Sequence, residues 1–127
     1  MIVAGIGSRK GVSAVEVIAA VEHALAEHAL SRDGLAMLAT ASLKGNEPGI
    51  IAASGMMNLP LVLVDTTALE DVSAATLTTS SASIAAANSP SVSEAAALAA
   101  AGQGARLAGP RVIVGSVTCA IAFGVEP

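Results

Sequence analysis

The sequence predicts an α/β domain of three layers, α/β/α, with a mixed, mostly parallel sheet. Three observations predict it. Short apolar runs recur at residues 1–6, Leu35–Ala41, 59–64, Val112–Val114 and Val117–Phe123. They are apolar at consecutive positions rather than alternating, the mark of strands covered on both faces. Segments with helix-start signatures lie between the earlier runs. The last two runs stand too close for a crossover helix, so at least one strand is expected to run antiparallel.

In chain order, residues 1–6 form a first strand, ended by Gly5-Ile6-Gly7. Ser13-Ala14-Val15-Glu16 has the spacing of a capping box and starts a helix to about residue 30. Val17, Ile18, Val21 and Leu25 make its apolar face; Glu16, Ala20, His23 and Glu27 make its wet face. Ser31-Arg32-Asp33-Gly34 is a turn before the second strand. Pro48 opens the next helix, where its missing N–H costs nothing, and Met57-Asn58 closes it. Thr67–Glu70 and Ser91–Glu94 are further capping boxes, the latter opening an alanine-rich helix that Gly102-Gln103-Gly104 stops. Gly115-Ser116 reads as the turn of a closing hairpin.

Composition narrows the function. The 127 residues are 54% hydrophobic, 13% charged and 1% aromatic, with one Phe and no Trp or Tyr. Such a core is built from Ala, Val, Ile and Leu, whose small side chains allow close approach. Six Lys and Arg form no run and the net charge is -4. A nucleic-acid binder needs a basic face or stacking aromatics, so that class is set aside. Mean hydropathy is +0.72. No stretch, however, supplies the roughly 20 apolar residues of a membrane span. A cytoplasmic protein without a leader is the expectation. The single Cys119 offers no disulfide and reads as a small buried hydrophobe. His23 and His28 share a helix at i, i+5 and so not one face, and no metal site is expected.

Two segments could carry chemistry. Gly5-Ile6-Gly7-Ser8-Arg9-Lys10-Gly11 lies at a strand end and feeds a capped helix. It reads as an anion site, with N–H groups, a helix N-terminus and two cations, or as a bare tight turn. Its G-x-G-x-x-x-G spacing is one residue too long for the dinucleotide fingerprint. The second segment, Ala39 to Pro48, brings Ser42, Lys44 and Glu47 to the same edge of the sheet. Lys44 and Glu47 read as site residues or as a surface pair. Thr76 to Ser83, rich in hydroxyls and uncharged, reads as a connector or a flap. No nucleophile–base–acid set follows from spacing.

These motifs together resemble the cobalamin-biosynthesis family that comprises the stand-alone CobE proteins and the C-terminal domain of CbiG. The family's G-[IL]-G-C-R-[RK]-G is Gly5 to Gly11 here, and its A-[ST]-x-x-x-K-x-x-E-x-G is Ala39 to Gly49. Leu59-Pro60-Leu61 looks like its third strand, Ser91 to Leu98 matches S-V-x-E-A-A-A-L, and Val117 to Ala122 matches V-T-x-A-I-A. The resemblance spans the chain in order and implies one domain over 1–127 with an α/β/α fold. Three departures stand out: Ser8 replaces the usual Cys, Ala41-Ser42 stand where an Asp is usual, and the lysine-rich approach to the last strand is reduced to Pro110-Arg111.

The resemblance implies a cobalamin (vitamin B12) biosynthesis protein that binds or hands on a corrin-ring, precorrin-type intermediate, with no cofactor of its own. Such a ligand carries carboxylates around an apolar ring. Arg9, Lys10, Lys44 and Arg111 are the expected cations; Gly5, Gly7, Ser8, Gly11, Ser42 and Glu47 complete the expected binding set. Two-domain CbiG proteins are similar to hydrolases that open a cobalt-precorrin lactone and release acetaldehyde. That makes the first alternative: Glu47 a general base and Lys44 an oxyanion partner. The single small domain favours the accessory reading, without turnover. The second alternative is a homodimeric scaffold for another pathway enzyme, docking through the alanine-rich helix.

Overall fold

The computed structural model describes residues 1–42, 47–65, 67–68, 92–102 and 104–124. Along the chain run β1 (Ile2–Ser8), α1 (Ala14–Glu27), a 3-10 turn (Arg32–Gly34), β2 (Leu35–Ala41), α2 (Pro48–Met57) and β3 (Leu61–Val64). Then come α3 (Val92–Ala101), β4 (Arg106–Leu107), β5 (Val112–Val114) and β6 (Val117–Phe123). The strands form one sheet in the order β3-β2-β1-β6-β4; off that path β5 pairs with β6 too, opposite Val117 to Cys119, while β4 lies opposite Ala122 and Phe123. β1, β2 and β3 are parallel neighbours. β6 is antiparallel to β1, β4 and β5. Among the described strands β6 therefore opposes the other five, and the sheet is mixed, with most strands pointing one way.

The apolar strands are covered on both sides, as their composition requires. On one face α1 and α2 pack over Ala4, Ile6, Leu38, Val117, Cys119 and Ile121. On the other, α3 packs over Val3, Ala39, Val64 and Ala122. Successive residues of β1 alternate between the two cores, the period-2 geometry of a strand.

The helix-start signals act locally. Ser13 caps α1: its hydroxyl accepts from the Glu16 N–H at 3.1 Å while the Glu16 carboxylate accepts from the Ser13 N–H at 3.1 Å. α1 stops at Glu27, short of residue 30, because Ala29 turns left-handed at φ 55°. The Leu30 N–H then donates to the Leu25 carbonyl at 2.8 Å and the Ala29 N–H to Ala26 at 3.1 Å, closing the helix in a Schellman motif. Ala20, expected on the wet face, is fully buried. With Val17, Val21, Ala24 and Leu25 it forms an i, i+3, i+4, i+7, i+8 stripe that faces the core. α2 begins at Pro48 and ends at Asn58, left-handed at φ 56°. β3 starts at Leu61 rather than Leu59, since Leu59 donates to the Ser54 carbonyl and Pro60 has no N–H. The cap expected at Thr67 is instead Asp65, whose carboxylate accepts from the Ala68 N–H at 2.8 Å. Ser91, Glu70 and the Thr76–Ser83 stretch lie outside the described residues.

The structure changes the reading of the first glycines. β1 does not end at Gly5-Ile6-Gly7 but runs through them to Ser8, paired to Val117 of β6. A Cβ on Gly5 would collide with the Ser93 carbonyl and lie 2.7 Å from Ala97 N. Glycine here lets the α3 backbone lie directly on the strand. The small residues of α3 serve the same contact: Ala96, Ala97 and Ala101 are buried in the core on that face. The alanine-rich helix is thus largely buried within the domain. Among the described residues no helix is long and apolar enough to cross a membrane.

Candidate functional site

The carboxyl edge of the parallel strands gathers β1 at Ser8, β2 at Ala41 and β3 at Val64. α1 and α2 start from loops leaving that edge. α3 reaches it as well, since a Cβ on Gly7 would lie 3.7 Å from Ser93 N. Open α/β sheets bind ligands at such an edge, where helix N-termini favour anions.

Arg9, Lys10 and Gly11 arch over this edge and are exposed. The arch is pinned at both ends. The Arg9 N–H donates to the Ser116 carbonyl, in the β5–β6 turn, at 3.2 Å. The Gly11 N–H donates to Glu47 Oε1 at 2.9 Å. Gly11 has φ +82°, so its lack of a side chain is used. Neither Arg9 nor Lys10 pairs with a carboxylate among the described residues, whereas Arg32 is bound to Glu22 at 3.3 Å.

Glu47 is 8% exposed and takes the N-cap position of α2, yet its side chain does not cap that helix. It reaches the other loop instead, so the first and second sequence segments are one structure. Gly49 reinforces the joint: a Cβ there would collide with the Val12 carbonyl and lie 2.8 Å from Val12 C. Glu47 is thus buried against the first loop; Lys44, its expected partner, lies outside the described residues. Ser42 is exposed just beyond β2.

The remaining expected residues divide. Gly5 is sealed beneath α3, and Gly7 packs against α3 and Thr118. Ser8 Oγ is buried and has no hydrogen-bond partner among the described residues. Arg111 stands just before β5, the strand that pairs with β6. Its N–H donates to Glu94 Oε2 at 2.9 Å.

Three residues that shape the edge escaped the sequence reading. Thr40 Oγ1 donates to the Ile6 carbonyl at 2.8 Å and Thr118 Oγ1 to the Gly7 carbonyl at 3.3 Å, locking the end of β1 from both neighbouring strands. Glu94, fully buried in the first turn of α3, holds the approach to β5. Each stands in a motif quoted above, and the motif was the only signal.

Cys119 is fully buried, and burial alone pushes its thiol up to about 12, so it stays a protonated hydrophobe. His23 is exposed, 3.7 Å from Glu27. His28 closes α1 with its ring against Gly109. Among the described residues no group of three His, Cys, Asp or Glu could hold a metal ion.

Fold and edge together define a small α/β domain with a basic arch at the carboxyl end of a mixed sheet. The family model "Cobalamin synthesis G C-terminus" matches residues 2–122. The chain belongs to this family of cobalamin biosynthesis proteins. It is 31% identical over 121 residues to Protein CobE of Sinorhizobium sp, covering 95% of this chain and 79% of that one. The crystal structure of CobE, a protein from the cobalamin (vitamin B12) biosynthetic pathway, superposes with a TM-score of 0.90 at 32% identity, over 100% of this chain and 92% of that one. The cobalamin biosynthesis protein chiG from Agrobacterium tumefaciens str. C58 is 46% identical with a TM-score of 0.80, over 99% of this chain and 100% of that one. A cobalamin biosynthesis protein G homologue from Sulfolobus solfataricus shares the fold at 23% identity and a TM-score of 0.74, over 95% of this chain and 36% of that one.

Proposed function

We propose that this cobalamin biosynthesis protein binds a carboxylate-bearing corrin-ring intermediate at the carboxyl edge of its sheet and hands it on without turnover. One observation carries the reading. Arg9 and Lys10 are exposed on an arch fixed at both ends, at the edge where the helices start. Two cations carried on a pinned backbone beside helix N-termini suit the rim carboxylates of such a ring. The acidic overall charge is no obstacle, because the local field decides. The lactone-hydrolase alternative has less support. Its proposed base, Glu47, is buried and directed at a backbone N–H, and no described side chain beside it is placed as a nucleophile.

The test is a spectral titration of the protein with purified precorrin intermediates, followed by incubation with a cobalt-precorrin lactone while acetaldehyde is measured. Stoichiometric spectral change without acetaldehyde is expected. Arg9→Ala should weaken binding on the order of ten- to a hundredfold, the worth of one charge-assisted hydrogen bond. No spectral change with any intermediate defeats the binding reading. Repeated turnover, lost in Glu47→Gln, would establish the hydrolase instead.

A further inference from the structure

Glu47 is an unusual choice for its place. It stands at the N-cap of α2, where Ser, Thr, Asp and Asn are favoured because short side chains reach back to their own helix. Its side chain makes no such bond. The longer side chain crosses instead to Gly11, thirty-six positions earlier, at 2.9 Å. The joint is rigid on a second, independent count, for Gly49 brings the first turn of α2 against the Val12 backbone with no room for a Cβ. On the far side, Arg9 N–H is tied to Ser116. The segment bearing the two cations is thus held between the β5–β6 turn and one buried carboxylate.

We propose that Glu47 is a positioning residue: its reach, not its charge or basicity, fixes the Arg9–Gly11 arch so that Arg9 and Lys10 face an anionic ligand. This rests on the anion-binding reading of the edge. The argument sets two properties of the side chain against each other. Glutamine keeps the length and an acceptor oxygen for the Gly11 N–H, but loses the charge. Aspartate keeps the charge and basicity but withdraws the carboxylate by about 1.5 Å, one carbon–carbon bond. A 2.9 Å hydrogen bond stretched that far is no longer one. A base or a charge partner predicts the opposite ranking.

The experiment uses the full chain as wild type, Glu47→Gln and Glu47→Asp, with two readouts. Amide hydrogen exchange by NMR reports on Gly11 without any ligand. A spectral titration with cobyrinic acid, a corrin bearing free carboxylates, reports on the site. Glu47→Gln should leave the Gly11 amide protected and the Kd within about twofold of wild type. Glu47→Asp should release the Gly11 amide and weaken binding about tenfold. The reverse order in either readout, or a Gly11 amide that exchanges alike in all three proteins, overturns the proposal. Failure of the wild type to take up cobyrinic acid counts instead against the anion-binding reading, and the amide exchange then decides the role of Glu47 alone.

Discussion

Gly5→Ala places one methyl group where the α3 backbone lies. The new Cβ would be 2.7 Å from Ala97 N and 2.8 Å from Ala97 Cβ, against ordinary contact from 3.4 Å, and would collide with the Ser93 carbonyl. The obstacle is helix backbone, so no rotamer change relieves it. α3 has to retreat by at least about 0.7 Å, and a gap of that size forfeits roughly a third of the dispersion well of every contact it opens. Leu98, 2% exposed on α3, makes about 50 contacts of about 0.15 kcal/mol each if it behaves as a typical buried leucine. A third of that is about 2.5 kcal/mol, within the usual cost of overpacking a core. With the neighbouring alanines, about 3 kcal/mol is expected, or a fall in Tm of about 10 °C for a domain of this size. Gly55→Ala is the internal control. Gly55 lies in α2 with nothing within 4 Å of its would-be Cβ, so alanine should stabilise by about 0.5–1 kcal/mol. Thermal melting by circular dichroism, checked by urea titration, reads both. A Gly5→Ala protein melting within about 2 °C of wild type would refute the view that glycine is there for the helix.

The thiol of Cys119, raised from 9.0 to about 12 by burial, keeps its proton in the folded state while the unfolded chain releases it from pH 9. Its contribution to stability is complete below pH 9 and is lost between pH 9 and about 12. The stability of wild type should therefore fall more steeply than that of Cys119→Ala over this interval, by up to about 1.4 kcal/mol per pH unit, in urea titrations at stepped pH; parallel curves defeat the argument. Ala29→Gly should raise stability by about 0.5–1 kcal/mol, since φ 55° strains any residue with a Cβ, and a lower Tm would contradict the strain. Ser8→Ala removes a buried hydroxyl that has no partner among the described residues, so it should be neutral or stabilising by about 1 kcal/mol; a loss of that size would mean the hydroxyl is bonded in solution.

What the sequence disclosed and what it withheld differ in range. Ser13 with Glu16, Pro48, Asn58 and the Gly115-Ser116 turn are short-range signals, and each marks the boundary it promised. β2 begins and ends where its apolar run does. The errors at Gly5, Gly7, Ala20 and Glu47 have distant causes. Gly5 and Gly7 look like a turn because a glycine carries the same local meaning whether the chain bends there or another element presses on it, and the pressing residues, Ser93 and Ala97, are far along the chain. Ala20 looks neutral on a helical wheel, and only the core facing α1 buries it. Glu47 was legible as a conspicuous acid but not as the tether of Gly11, because nothing local pairs the two. The edge of the sheet could be foreseen from strand order; its arch could not.

The pairing of β1 with β6 joins the two ends of the described chain, with Ile2 opposite Phe123 and Gly124 N–H donating to the Met1 carbonyl at 2.8 Å. On the ribosome, then, β1 emerges with one of its two hydrogen-bonding edges having nothing to pair with until almost the whole domain has been made. Closing so long a loop is slow, and an apolar strand with an open edge is prone to pair with another chain in the meantime. β2 can add to β1, and β3 to β2, as they appear, but the barrier to completing the sheet belongs to the last strand. Synthesis stalled before Val117 should leave a chain that aggregates rather than a domain with a missing edge, because the absent strand is an inner one.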